Sequence, residues 1–238
     1  MDALIEQING LIEKIKGKLD ELLGIVNDFL GWIPWGLGWL ADKIKDAWDW
    51  LVEKFNEFWD GVTFIFGNPG DRGFLETTGN SWSTDIGGPV SAKKDTVDAS
   101  AILKADDKWQ GDAAGAYAGK AKLHQTALEK IVTTYTTTAS AALETVRGGL
   151  VKYYMGLITA LGALVVGIIG ALASSATIFG IPAGIFIAAG AALVAIGAFY
   201  TGGTLLKSDC TTANTSLTQK MNDNNGFPNE GWPKGAVL

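Results

Sequence analysis

From Tyr153 to Leu206 the chain carries no Asp, Glu, Lys, Arg or His, and Lys152 and Lys207 bound the stretch. A helix that faces water keeps one polar side, whereas a helix apolar all round must be enclosed by protein or by lipid. Tyr153–Ala173 and Ile178–Tyr200 each run for about twenty residues. At about 1.5 Å rise per residue, either can cross a hydrocarbon core about 30 Å thick. Ser174-Ser175-Ala176-Thr177 between them is too short for anything but an antiparallel return. The rest of a 238-residue chain is too small to wrap two such helices, so the sequence predicts lipid around them. Most of the apolar excess, 47% hydrophobic residues and a mean hydropathy of +0.19, sits in this segment.

Where lipid removes the hydrophobic drive between helices, small residues let backbones approach closely. Ala163, Gly167 and Ala171 fall four apart, as do Gly180 and Gly184, and Ala188 and Ala192. These seven positions are the expected packing seam of the hairpin. Tyr153, Tyr154, Phe199 and Tyr200 gather at its open end, where aromatic rings favour the membrane interface. Arg147 and Lys152 precede the first span, Lys207 follows the second, and the turn is uncharged. Insertion from the cytoplasm would therefore keep both termini cytoplasmic. The same uncharged tip also suits spontaneous insertion from outside.

Residues 1–66 read as an amphipathic, Trp-rich helical region. Leu4, Ile8, Leu11, Ile15, Leu19, Leu22, Val26 and Phe29 recur at the helical period through residues 3–30. Gly10, Gly17 and Gly24 interrupt that helix at regular intervals, either for close approach of a neighbour or at a plain cost in stability. Gly31-Trp32-Ile33-Pro34-Trp35-Gly36-Leu37-Gly38-Trp39 is a break. A second helix, Leu40–Phe66, aligns Leu40, Ile44, Ala47, Trp48, Leu51, Phe55, Phe58 and Val62. Its polar side carries Lys43, Lys45 and Lys54 among Asp42, Asp46, Asp49, Glu53, Glu57 and Asp60. Such a stripe fits packing on other helices or contact with a membrane surface, although interfacial helices that seek anionic lipid are usually basic.

Residues 67–150 read as a helical hairpin that opens on the linker Gly67-Asn68-Pro69-Gly70. The pattern over 71–108 is weak (Phe74, Leu75, Trp82, Ile86, Val90, Val97), and Gly87-Gly88-Pro89 should kink or break a helix there. From Asp112 to Leu150 the helical period returns. Thr133–Thr138 are poor helix formers, expected to survive because the flanking face is buried. Lys108-Trp109-Gln110-Gly111-Asp112-Ala113-Ala114-Gly115-Ala116-Tyr117 suits a hairpin corner. There Gly111 supplies unusual backbone angles, Asp112 is placed to cap the next helix, and Trp109 can plug the end of the helix interface. Residues 208–238, polar and rich in Asn, Thr, Gly and Pro, read as a flexible tail.

Over about residues 68–150 the chain resembles the Trp-x-Gly superfamily of small helical-hairpin proteins associated with type VII secretion. The residues that carry the likeness are Trp109-Gln110-Gly111, followed by Asp112-Ala113-Ala114-Gly115-Ala116-Tyr117 at the head of a long amphipathic helix. Gly67-Asn68-Pro69-Gly70, Trp82 and Gly88-Pro89-Val90-Ser91 are similar to longer actinobacterial members that carry a hydrophobic C-terminal hairpin. The resemblance implies a two-helix hairpin that pairs with itself or with a relative, and export without a cleaved signal. Met1-Asp2-Ala3-Leu4 lacks the basic start of a secretory signal, which agrees. The family's export signal pairs a Tyr with an acid four residues on. Here the residues four after Tyr117, Tyr135, Tyr153, Tyr154 and Tyr200 are Ala121, Ala139, Leu157, Ile158 and Thr204. Either a partner carries the signal or this member stays in the membrane.

A net charge of −6 argues against nucleic acid, which needs a surplus of cations on one face. With one histidine, His124 on an apolar helix face, and one cysteine, Cys210, no common zinc site can be assembled. No nucleophile elbow, phosphate loop or dinucleotide fingerprint is present. The sequence therefore predicts a non-enzymatic all-α protein without cofactor, metal or small-molecule substrate. Its expected partners are the lipid bilayer and a second Trp-x-Gly-type chain, and its expected place is the cell membrane or envelope, or outside the cell. Three roles fit: an effector or envelope component of the type VII secretion group, a helical pore-forming protein whose hairpin is first sheathed by the amphipathic helices, or a passive membrane anchor or scaffold. The first 66 residues are expected either on the Trp-x-Gly unit or on lipid.

Overall fold

The computed structural model describes residues 2–33, 35–67, 70–97, 109–177 and 179–234. Asn68 and Pro69 of the linker, Lys108 of the Trp-x-Gly segment and Ile178 of the second apolar run lie outside them. Among the described residues the chain is all-α, with no strand. The helices are α1 (Asp2–Gly31), α2 (Gly38–Gly67), α3 (Arg72–Ser81), α4 (Gly88–Thr96), α5 (Asp112–Lys130), α6 (Thr137–Ser174) and α7 (Gly180–Met221). Two π-helical segments, Trp82–Gly87 and Ile131–Thr136, join α3 to α4 and α5 to α6. The chain forms two compact units. One contains Met1–Asp71 and Leu150–Lys207, the other Arg72–Gly149 and Ser208–Leu238.

In the first unit one apolar core takes residues from four helical segments. Ile8, Ile15 and Leu22 of α1, Ile44, Leu51 and Phe58 of α2, Leu157, Leu164 and Ile168 of α6, and Ile185, Ala188 and Ala192 of α7 are buried together. α1 and α2 run antiparallel, with the Lys16 ammonium 5.6 Å from the centre of the Trp59 ring. Aromatic contacts lay α2 parallel to α7: Trp50 against Phe186 and Phe58 against Phe199, each at 6.2 Å between ring centres. The amphipathic helices thus pack on the hydrophobic hairpin, as a sheath would, and not on the Trp-x-Gly unit. α1 and α2 cover one side of the hairpin and leave another bare, so the chain does not wrap it on every face. A Cβ added at Gly10, Gly17 or Gly24 would meet nothing within 4 Å. No close neighbour explains these glycines, and each costs α1 about 1 kcal/mol relative to Ala.

In the second unit α3 and α4 run antiparallel to α5 and the start of α6. Arg147 Nη1 donates to Glu76 Oε2 at 3.1 Å, a Cβ at Gly79 would lie 3.7 Å from Leu143 Cβ, and one at Gly87 would lie 3.2 Å from Thr136 Oγ1. Gly79, Gly87, Thr136 and Ala139 are buried along the seam, and Ala142 is buried beside Ala213 of α7. The predicted break at Gly87-Gly88-Pro89 does not occur. Pro89 has no N–H to offer the preceding turn and its ring crowds the carbonyl four residues back. The helix widens instead, with the Gly88 N–H reaching Ser83 O, five residues earlier. The threonine cluster widens the facing strand of the hairpin. Thr136 Oγ1 and Thr137 Oγ1 both donate to Val132 O, at 2.8 and 2.9 Å. This competes with the backbone for that carbonyl.

The predicted flexible tail also needs correction. Ser208–Met221 continue α7 as helix, with Ala213 buried in the second unit, and the chain then folds along α5. Asp223 pairs with Lys130, and its backbone carbonyl accepts from the Tyr135 hydroxyl at 3.3 Å. Phe227 lies 5.8 Å from the Tyr135 ring, and Trp232 lies 5.6 Å from His124. Gly226 takes φ +96°, and a Cβ there would crowd Lys130 Cβ and Thr126 O at 3.4 Å, so glycine lets the return lie flat.

The Lys130 ammonium, with help from the Asn225 N–H, holds the Asp223 carboxyl below its ordinary value of 3.8. A depressed carboxyl contributes stability above its unfolded pKa and loses it as the pH falls through the folded value. Protection of residues 222–234 against hydrogen exchange, relative to the intrinsic rate at each pH, should therefore be high at neutral pH and fall below about pH 4. Lys130→Ala should give the same loss of protection at pH 7, while α1 and α2 exchange as before. Unchanged exchange in Lys130→Ala would show that the ion pair does not hold the segment.

Candidate membrane site

The described parts of α6 and α7 include two stretches long and apolar enough to cross a membrane by length and composition. Backbone groups satisfy themselves inside a helix, so the polar atoms that remain to be settled are the hydroxyls. Thr159 donates to Met155 O at 3.0 Å, Thr201 to Gly197 O at 2.8 Å, and Thr204 to Tyr200 O at 2.9 Å. Ser175 donates to Ala171 O at 2.8 Å. Each bond stays within one helix or its first turn, leaving an apolar outer surface.

The turn at the tip is closed by its own side chains. Gly180 N–H donates to Thr177 Oγ1 at 3.1 Å, and a Cβ on Gly180 would overlap Ser174 O. Gly180 therefore serves the turn. Gly184 sits against Ala171, where an added Cβ would lie 2.5 Å from the carbonyl oxygen. A Cβ on Gly167 would overlap Ala191 Cβ. Ala171, Ala188 and Ala192 are fully buried. Ala163 is exposed, outside the seam, while Leu161 and Leu164 are buried. Residues four apart drift about 40° per step around a helix, so a three-member row cannot hold one line. Ala191, which the spacing rule passes over, is legible from the antiparallel register that the short turn imposes.

The hairpin has two unlike faces. One is covered by α1 and α2. On the other, Val166 is 70% exposed and Val194 64%, and Ile169, Ile187 and Leu193 are also exposed, while Phe186, 55% exposed, lies at the edge beside Trp50. Scattered apolar residues are ordinary on a soluble surface, but a run of large ones on two adjacent helices marks an interaction face.

The Trp-x-Gly residues lie in the second unit. Gly111, at φ +106°, occupies the cap position of α5, and Asp112 is the first helical residue beyond it. Asp112 thus stands where a carboxylate favours the positive end of a helix, and no side chain caps α5. Trp109 lies tilted beside Tyr117, at 5.6 Å between ring centres, and stays 43% exposed, so it lies on the surface and does not plug the helix interface. His124 is half-buried beside Trp232. Among the described residues no group of three His, Cys, Asp or Glu could hold a metal ion.

Overlap at Gly167 makes it the sharpest test of the seam. Gly167→Leu should cost roughly 1–3 kcal/mol in detergent unfolding experiments, as overpacking does. Gly162→Leu, where an added Cβ meets nothing within 4 Å, should cost nothing. Equal behaviour of the two variants would mean that α6 and α7 do not meet along Gly167.

Compared with protein-family models, curated proteins and solved structures, the chain matches none.

Proposed function

We propose that this protein works as a membrane-inserted helical protein, with the α6–α7 hairpin in lipid and the charged second unit in water. The observation that carries the reading is the bare apolar face of α6 and α7, centred on Val166 and Val194. Lipid covers such a face without needing polar partners. The absence of ionised groups from Tyr153 to Leu206 lets the tip pass a bilayer without moving a charge.

Within that reading we assign the protein to the Trp-x-Gly, type VII secretion-associated group, as an effector or envelope component that pairs through helices. Two features support it: the sequence likeness at Trp109–Tyr117, and the antiparallel helices on either side of that segment. A second reading is a pore-forming protein that is soluble first. The cover of α1 and α2 over the opposite hairpin face favours it, because a sheath has to share a core with what it conceals.

Val166→Lys with Val194→Lys separates lipid from water as the neighbour of the bare face. Both sites are exposed, so the helical content of the protein should be kept. The wild type should float with phosphatidylcholine vesicles and resist carbonate extraction. The double variant should not, since each buried cation costs about 3 kcal/mol near the middle of a bilayer. Equal flotation of the two would sink the membrane reading. Release of a trapped dye by the wild type favours the pore over the anchor or envelope component.

A further inference from the structure

The turn between α1 and α2 alternates in an unusual sense. Ile33 and Leu37 point into the core of the first unit, while Trp32, Trp35 and Trp39 point away from it. Their exposures are 66, 104 and 54%. In water the larger rings would be the ones worth covering, because burial stabilises in proportion to apolar area. Exposing three indoles while burying smaller side chains suits a neighbour that is apolar on one side and wet on the other. Tryptophan prefers that environment at a membrane interface. No charged residue lies between Asp28 and Asp42, so the turn brings no ionic group with it.

The position of the turn follows from the parallel packing of α2 on α7. Trp50 meets Phe186 and Phe58 meets Phe199, so moving backward along either helix leads to the same end of the unit. α7 starts at Gly180, under two turns before Phe186, and α2 starts at Gly38, about three turns before Trp50. The tryptophan turn and the hairpin tip therefore share one pole. At the tip Phe179 is 73% exposed, and Ser174–Gly180 carry no charge. Two uncharged loops, formed by different parts of the chain, project their largest apolar side chains at one end.

We infer that this pole is the bilayer-docking element. Trp32, Trp35 and Trp39 seat in the interface of a zwitterionic lipid surface, which holds the hairpin tip against the bilayer it is to enter. The inference rests on the membrane reading above and adds the point of first contact. Lipid is favoured over an anionic partner because the nearest charged positions, Asp28, Asp42, Lys43, Lys45 and Asp46, are of mixed sign. Lys43 lies 5.5 Å from the centre of the Trp39 ring, where it shields an edge of the cluster and forms no basic patch.

The test uses the full chain and phosphatidylcholine vesicles. The triple variant Trp32→Ser, Trp35→Ser, Trp39→Ser alters exposed positions only. It should bind vesicles about tenfold or more weakly at limiting lipid, yet still reach carbonate-resistant insertion at high lipid. In a Cys210→Ser background, an environment-sensitive dye on Trp35→Cys should shift to the blue on binding. The same dye on Glu57→Cys, toward the other end of α2, should not. Raising the salt concentration should leave wild-type binding unchanged. If the wild type inserts and the triple variant binds equally well, the docking pole is wrong and the membrane reading stands. If the wild type never binds, the membrane reading itself fails. Blue shifts at both positions would mean that α2 lies flat on lipid, and loss of binding with salt would mean an electrostatic contact. Concentration-dependent dimerisation abolished in the triple variant, with vesicle binding intact, would assign the tryptophans to a second copy. Each of these last three results overturns the proposal.

Discussion

An uncharged run as long as Tyr153–Leu206 needs apolar cover on every side, and the chain itself covers two sides of three. The two helices cover each other along a seam of small residues, with Gly167 against Ala191 and Gly184 against Ala171. α1 and α2 cover a second side with a continuous aliphatic and aromatic core. The third side is left open. The hydroxyls of Thr159, Thr201 and Thr204 are bonded to carbonyls within their own helices, which lessens what the hairpin asks of water. The open side is thus a boundary set by the supply of apolar surface in the rest of the chain.

The second unit solves a different problem with a related device. Its helices meet through Gly79, Gly87, Thr136 and Ala139, so the seam is narrow and small shifts along it matter. A π turn adds one residue to a helix and rotates everything beyond it by about 100°. A single such turn would carry Gly87 or Thr136 out of the seam. Two of them facing each other, one caused by Pro89 and one by the threonine cluster, keep the partners matched on both sides. Arg147 still reaches Glu76 beyond one end, and Gly87 still faces Thr136 in the middle. Helix widening here follows from local chemistry and is preserved by the pairing.

Large residues at the helical period made α1 and α2 readable. Ile8, Ile15, Leu22, Ile44, Leu51 and Phe58 sit in the core as the pattern requires. α3 and α4 gave a weak pattern for a physical reason: their buried positions are Gly79 and Gly87, while Phe74 is 65% exposed. A seam of glycines leaves no hydrophobic signal. The end of α7 was missed because Thr, Asn and Ser dominate Thr211–Thr218, and the packing of Ala213 and the pairing of Asp223 with Lys130 supply what composition lacks. In the hairpin, spacing identified Gly167, Gly184, Ala188 and Ala192 but not the exclusion of Ala163. Nor could spacing show which side α1 and α2 would take, since that depends on contacts between residues more than a hundred positions apart.

What attaches α1 and α2 to the hairpin bears on how the protein could enter lipid. Their ion pairs lie within each helix: Lys16 with Glu13, Lys18 with Glu21, and Lys54 with Glu53 and Glu57. The contacts to α6 and α7 in the shared core are apolar. Such contacts have no preferred direction, and a lipid chain satisfies them about as well as a leucine does. α1 is further weakened by Gly10, Gly17 and Gly24, none of which a neighbour requires. In water the cover is held because nothing else apolar is at hand. At a bilayer, lipid competes for these apolar contacts on nearly equal terms.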